Sequence, residues 1–298
     1  MSYQTFVKNG FLLPMSDAVV RLDSIEYAYG FGVYENIRVV RDRPLFVTDH
    51  IERLMHSANV IGLLHPLSEE NIREWISMLI REIPDDAWNI KMLLIGGKSA
   101  EEATLHILPL KPHFPDKRLY RDGVHVTLAS YERLFPQAKT LNMLGSFLAY
   151  RDAKKVGAYD ALLVKHADTE PPCLTLSSPN AECSATSRRV NPNGEITEGT
   201  RTNFFLIEHG TLITAPLKDV LLGVTMKHVM EIAKAEGMQI RHEPITMERV
   251  QRCEGAFLTS TSSKIMPINK VGEYQLQIPE NLRVLIKAFD EYLKKSEF

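Results

Sequence analysis

Strand signals in this chain come in consecutive runs one turn apart, with helices interposed singly or in pairs. A doubly wound sheet needs strand and helix to alternate regularly, so this order points instead to two α+β domains. At the start, strands over 3–7 and 11–13 flank Lys8-Asn9-Gly10, whose Asn-Gly pair suits a hairpin turn. After the glycine-containing stretch from Tyr27, residues 33–40 are rich in β-formers. Helical spacing follows over 49–63, where Ile51, Leu54, Met55, Ala58 and Ile61 share a stripe, and over 67–81, opened by Ser68. Strands over 90–95 and 103–110 and an irregular stretch with Pro109, Pro112 and Pro115 complete a first domain over 1–115. A linker is expected over 116–120 and a second domain over 121–298.

The second domain reads as strand 124–130, a helix over 144–155 whose apolar side includes Leu144, Phe147 and Leu148, and strand 159–165. Residues 166–193 hold prolines, serines, Cys173 and Cys183 without any apolar period, which reads as a long inserted surface loop. Strands over 195–197, 203–208 and 211–214, a helix over 223–236, strand 255–259 and a closing helix over 280–294 follow.

Composition excludes little. The formal net charge of −2 gives no bulk reason to expect nucleic acid or anionic membrane as a partner. No apolar run approaches the roughly 18–20 residues of a membrane span, and the N-terminus lacks the layout of a signal peptide. Three cysteines with no CxxC make a poor disulfide framework, so a reducing cytoplasm is the expected setting.

Four pieces can carry chemistry. Glu198 sits in a short polar turn between two strands, either as an ordinary turn residue or as a partner for a cationic heterocycle. Lys139 precedes an apolar helix; such a lysine is commonly solvated, but in a partly desolvated site it forms a Schiff base. Leu221-Leu-Gly223-Val224-Thr225 opens a helix, where free backbone N–H groups bind phosphate and glycine admits close approach. Thr259-Ser260-Thr261-Ser-Ser263 follows a strand and offers hydroxyls to phosphate oxygens. Each piece alone has an ordinary structural explanation.

Taken in order they resemble the fold type IV pyridoxal-phosphate enzymes: D-amino-acid aminotransferases, branched-chain aminotransferases and aminodeoxychorismate lyases. The matching stretches are Tyr29-Gly-Phe-Gly-Val-Tyr-Glu35, Asp49-His-Ile-Glu-Arg-Leu54, Lys139-Thr-Leu-Asn-Met-Leu144, Thr197-Glu-Gly-Thr-Arg-Thr-Asn-Phe204, Leu222-Gly-Val-Thr225 and Phe257-Leu-Thr-Ser-Thr-Ser-Ser263. The Lys-Thr-Leu-Asn and Thr-Ser-Thr-Ser-Ser forms are most similar to D-amino-acid aminotransferases. The resemblance implies a homodimeric two-domain α+β enzyme with pyridoxal 5′-phosphate in the interdomain cleft. It implies transfer of an amino group between an amino acid and a 2-oxo acid. Lys139 would be the Schiff-base lysine and proton carrier, and Glu198 the partner of the pyridine nitrogen. Leu221 would pack near the ring. Gly223, Val224, Thr225, Ser260, Thr261 and the Arg53 guanidinium would hold the phosphate. Helical periodicity, in contrast, turns Arg53 to solvent.

Substrate recognition departs from the family pattern. The loop Gly96-Gly-Lys-Ser-Ala-Glu-Glu102 lacks the arginine and histidine expected to trap the substrate carboxylate. Tyr34, Arg38 and Lys98 are the candidates for the substrate pocket, with Arg133 a further possible replacement. The same cofactor also serves a lyase or a branched-chain L-amino-acid aminotransferase, and a catalytically silent relative would keep the scaffold.

Overall fold

The computed structural model describes residues 3–20, 23–112, 114–165 and 194–296. They form two compact units: Met1–Phe114 with Gln137–Asn142 and Tyr292–Phe298, and Pro115–Pro136 with Met143–Glu291. The expected loop over 166–193, with Cys173 and Cys183, lies outside the described residues.

The first unit contains strands β1 (Thr5–Lys8) and β2 (Phe11–Pro14), a short helix α1 (Ile25–Ala28), and strands β3 (Gly32–Val40) and β4 (Arg43–Pro44). Helices α2 (Val47–Val60) and α3 (Glu69–Glu82) and strands β5 (Ala87–Ile95) and β6 (Thr104–Leu110) follow. The strands make one sheet in the order β2-β1-β6-β5-β3-β4. At the β1–β2 turn Asn9 and Gly10 have φ of 45° and 85°, the left-handed pair that a two-residue hairpin requires. Ser68 and Asn71 bond reciprocally in a capping box that starts α3.

Period-two alternation sets the two faces of this sheet. Val33, Ile37 and Val39 of β3 and Trp88, Ile90, Met92 and Leu94 of β5 share one core with Ile51 and Leu54 of α2 and Ile72, Ile76 and Leu79 of α3. Fully burying each such aliphatic side chain contributes about 1.5–3 kcal/mol, so this face holds the unit together. Tyr34, Asn36 and Arg38 lie on the opposite face.

The second unit opens with α4 (Lys117–Asp122), capped by the Asp116 side chain on the Arg118 N–H. The stretch expected as a linker over 116–120 is therefore mostly helix. Strand β7 (Val124–Ser130), helix α5 (Leu144–Lys155) and strands β8 (Asp160–Val164), β9 (Ile196–Gly199), β10 (Asn203–Glu208) and β11 (Thr211–Thr214) come next. Then follow α6 (Val224–Ala235), β12 (Gln239–His242), α7 (Met247–Arg252), β13 (Gly255–Ser260), β14 (Lys264–Val271), β15 (Tyr274–Gln275) and α8 (Glu280–Ser296). The sheet runs β12-β11-β10-β13-β14-β7-β8-β9, with β15 paired to β14. Because β9 pairs with both β8 and β10, part of the sheet closes on itself. The closing pair is Glu198 opposite Asn203.

Two further sequence expectations change here. The buried side of α5 is not the one with Leu144 and Phe147, which are 67% and 56% exposed. It is the small-residue side: Ala149 and Ala153 pack with Ala158, Ala161 and Leu163, which brings the helix close to the sheet. Glu198 stands within β9, and it is only 4% exposed. No helix among the described residues is long and apolar enough to cross a membrane.

Candidate active site

Lys139 belongs to the first unit by its contacts. Three hydrogen bonds fix the backbone of residues 139–141 along β3 and α2. The Tyr34 N–H donates to the Lys139 carbonyl at 2.9 Å, the Lys139 N–H donates to Ser57 Oγ at 3.0 Å, and the Leu141 N–H donates to the Gly32 carbonyl at 2.8 Å. Thr140 completes an antiparallel bridge with Val33. The segment thus lies along β3 as a short added strand. Glycine is needed at position 32, because a Cβ there would come within 2.7 Å of the Leu141 side chain and of the Leu94 carbonyl. The half-buried Lys139 Nζ sits 4.6 Å from the centre of the Tyr34 ring, within the range of a cation–π contact.

On the helix-facing side of the same strand, Glu35 is fully buried. Its Oε1 accepts from Arg53 Nε at 2.6 Å, and its Oε2 accepts from Arg53 Nη2 at 2.8 Å and from His50 Nδ1 at 2.7 Å. Burial pushes the Glu35 carboxyl up, but the Arg53 and His50 charges and hydrogen bonds outweigh it and hold the group well below the usual carboxylate range. Burial pulls His50 down against the opposing pull of Glu35. A neutral imidazole with its proton on Nδ1 satisfies the carboxylate. Arg53 is therefore not solvent-facing, as periodicity had it: the side chain is 10% exposed and aligned bidentately on Glu35. A long side chain on the flank of α2 reaches back over the stripe to meet a carboxylate delivered by β3.

In the second unit, Glu198 collects donors on both oxygens. Arg133 Nη1 donates to Oε1 at 2.8 Å; the Leu221 N–H at 3.2 Å and Asn203 Nδ2 at 3.4 Å donate to Oε2. Asn203 Nδ2 also donates to the Leu221 carbonyl at 2.7 Å, which ties the stretch before α6 to the β9–β10 pair. Arg133, a possible substrate-carboxylate partner on sequence grounds, is instead the charged neighbour of Glu198. Leu221 is 9% exposed and contributes both of its backbone polar groups to this network.

The start of α6 has the features of an anion site. Gly223 is the N-cap and places no side chain on the first N–H groups. A Cβ there would lie 2.0 Å from Asn203 Oδ1, so only glycine fits. The N–H groups of Val224 and Thr225 and the buried Thr225 hydroxyl stand where the helix dipole favours an anion. At the end of β13, Ser260 Oγ bonds Ser263 Oγ at 2.6 Å and accepts from the Ser263 N–H at 3.1 Å, which shapes the turn that carries Thr261. Beside it, the buried Thr259 Oγ1 has no hydrogen-bond partner among the described residues. Uncapped N–H groups, a glycine that no other residue can replace, and an orphan hydroxyl are the donor set that a phosphate ester needs. The residues fit pyridoxal 5′-phosphate.

The substrate candidates are less uniform. Tyr34 and Arg38 lie on one face of β3, and Arg38 Cζ is 4.7 Å from the Phe114 ring centre. Lys98 has an exposed side chain, and its N–H donates to Glu102. Sequence reasoning passed over His106. Cross-strand register places Tyr34 opposite Leu93, Leu93 opposite His106, and His106 opposite Lys8, all in one row on the face away from α2 and α3. The His106 Nδ1 is buried without a partner among the described residues, and burial followed by the Lys8 charge pulls the ring down to about 4. A histidine at a strand position carries no spacing signal, so only the register could find it.

The first unit holds a lysine beside a tyrosine, and the second holds a buried carboxylate with three donors and a glycine-opened helix start; these are residue types that suit pyridoxal-phosphate chemistry. Comparison with known proteins agrees. The family model for amino-transferase class IV matches residues 32–170 and 189–271. The chain belongs to the class IV aminotransferases; it is an enzyme of this family, and its cofactor is pyridoxal 5′-phosphate. The match is interrupted at 171–188, inside the stretch that the sequence marks as inserted.

Among relatives, the D-alanine aminotransferase of Listeria monocytogenes is 24% identical over 284 residues, covering 90% of this chain and 88% of that protein. A branched-chain aminotransferase from Thermoproteus uzoniensis, solved with norvaline, superposes with a TM-score of 0.82 at 24% identity, over 99% of this chain and 96% of that one. A putative 4-amino-4-deoxychorismate lyase from Legionella pneumophila gives a TM-score of 0.75 at 22% identity, over 94% and 97%. These two structures share the fold of this chain.

Proposed function

We propose that this enzyme is a transaminase that moves an amino group between an amino acid, D-amino acids favoured, and a 2-oxo acid. The observation that carries the reading is the fixing of Lys139: two hydrogen bonds hold its main chain, a third holds Leu141 two residues on, and its amine lies on the Tyr34 ring. Pyridoxal phosphate, when bound, supplies a ring that accepts electrons from the substrate carbon. The Lys139 amine is the covalent anchor and, once released, moves the proton at the substrate Cα, first as base and then as acid. The Glu198 carboxylate keeps the proton on the ring nitrogen, and Arg133, Asn203 and the Leu221 N–H hold that carboxylate in place. Arg53, oriented by Glu35, serves the phosphate together with Gly223, Val224, Thr225, Ser260 and Thr261.

Preference for D-amino acids rests on the Lys-Thr-Leu-Asn and Thr-Ser-Thr-Ser-Ser forms and on the D-alanine aminotransferase relatives. Tyr34, Arg38 and His106 read the substrate, with the His106 Nδ1, which has no partner among the described residues, as a hydrogen-bonding group for its carboxylate; Lys98 takes a peripheral part. A homodimer suits the exposed apolar residues Phe11, Tyr29, Leu134 and Leu144, which a second copy would cover.

The deciding experiment supplies D-amino acids, L-amino acids and (R)-amines as donors with several 2-oxo acids as acceptors. Turnover that needs an acceptor and favours D-donors supports the reading. Pyruvate release from aminodeoxychorismate without an acceptor would replace it with a lyase, and preference for branched L-donors would reverse the stereochemical part.

A further inference from the structure

Asp160 stands at the first position of β8 and is 2% exposed. Its carboxylate faces the tip of the β9–β10 hairpin, the three residues between Gly199 and Asn203. Oδ1 accepts from the Ala161 N–H at 2.8 Å, from the Thr200 N–H at 3.3 Å and from the Thr200 hydroxyl; Oδ2 accepts from the Thr202 hydroxyl at 2.9 Å. Two hydroxyls and one amide of a three-residue tip thus converge on one side chain. Room for this exists because position 199 is glycine: a Cβ there would lie 2.0 Å from Thr202 Oγ1 and 2.8 Å from Asp160 Oδ2.

The tip is short, so whatever fixes it fixes its flanks. Glu198 immediately precedes Gly199 and pairs directly with Asn203, which immediately follows Thr202. The Gly199 N–H donates to the Thr202 carbonyl at 2.7 Å, and the Thr200 N–H also reaches the Ala161 carbonyl at 3.1 Å. A buried carboxylate is costly unless its oxygens are filled, and burial does raise the Asp160 pKa against these bonds. Three-residue loops are common hairpin connections, and the Gly199–Thr202 backbone bond already spans this tip, so the Asp160 bonds act on a tip that is closed by its own backbone.

We propose that Asp160 is a positioning residue for the transamination site: by clamping the Thr200–Thr202 tip it sets the direction in which β9 presents the Glu198 carboxylate to the cofactor's ring nitrogen. This rests on the assignment of Glu198 to the ring nitrogen. The loss of one hydrogen bond to a charged group is worth about tenfold.

The test uses the full chain and pyridoxal phosphate itself. Asp160→Asn and Thr202→Val are made singly and in a Glu198→Gln background, and cofactor dissociation constants are measured by fluorescence titration alongside kcat and donor KM. Each single variant is expected to weaken cofactor binding by about tenfold and to lower kcat with donor KM unchanged, and to cause no further loss when Glu198 is already Gln. A support that only stabilised the fold would give losses that add in the Glu198→Gln background. Additive losses, or wild-type cofactor affinity in folded Asp160→Asn and Thr202→Val, would overturn the proposal. A wild-type protein whose own cofactor affinity is untouched by Glu198→Gln would overturn the underlying assignment instead.

Discussion

Replacing Glu35 by Gln tests how the first unit orients Arg53. Glu35 accepts three hydrogen bonds, two of them from one guanidinium, with no exposure to water. Gln offers one oxygen and one N–H group in the same space. One of the Arg53 donors, or the His50 donor, would then face another donor, and a largely buried guanidinium would lose its counter-charge. Breaking a buried ion pair from one side costs about 3–5 kcal/mol; Gln keeps one acceptor, so the lower end, about 3 kcal/mol, is expected. At roughly 2–4 °C per kcal/mol, the melting temperature should fall by about 6–12 °C. The pH dependence follows from the same pair. Because the folded carboxyl titrates below its ordinary value of 4.5, its contribution is fully present above that value and is lost as the pH falls below it. Glu35→Gln should therefore melt with a flatter acid limb. The assay is thermal unfolding by circular dichroism from pH 7 down to about 2, the range in which the lowered carboxyl takes up its proton, together with cofactor titration. A fall of less than about 1 kcal/mol with unchanged cofactor affinity would refute the claim that Glu35 aligns Arg53.

Three further changes probe separate parts of the site. Gly223→Ala introduces a Cβ 2.0 Å from Asn203 Oδ1; cofactor affinity should fall about tenfold or more, measured by equilibrium titration, while unaltered affinity would remove the α6 start from the phosphate site. Gly199→Ala meets Thr202 Oγ1 at 2.0 Å and should cost about 1–3 kcal/mol in chemical denaturation, an overpacking penalty that a relaxed hairpin tip would not show. His106 falls from its ordinary 6.5 to about 4 in the folded chain, so the unfolded chain binds the proton first and stability drops as the pH falls through that window. His106→Leu should flatten that part of the stability profile and weaken substrate binding; a profile identical to wild type would show that His106 does not titrate as a buried group.

Much of the fold was legible because its elements announce themselves locally. Asn9-Gly10 marks the hairpin, Ser68 the start of α3, and the stripe of Ile51, Leu54 and Ala58 the buried side of α2. The side of α5 was misread since Ala149 and Ala153 carry little hydrophobic weight, yet let the helix approach closely while Leu144 and Phe147 stay out. Arg53 was misread for a related reason: a helical wheel records where a side chain leaves the backbone and not where a long one ends. The signal lay in β3, where alternation puts Glu35 on the buried face with Val33 and Ile37, a position that demands a cation. Lys139 and Glu198 became candidates only through motif order. Asp160 and His106 gave no signal, because their meaning comes from strands that are distant in sequence.

The central claim is that Lys139 carries the cofactor. Pyridoxal phosphate bound to the full-length protein is reduced with borohydride, which makes the linkage permanent, and the digested chain is mapped by mass spectrometry. The pyridoxyl group is expected on Lys139 alone, with none fixed in a Lys139→Ala variant. A label on another lysine, or a reduced protein that carries no label, would contradict the account.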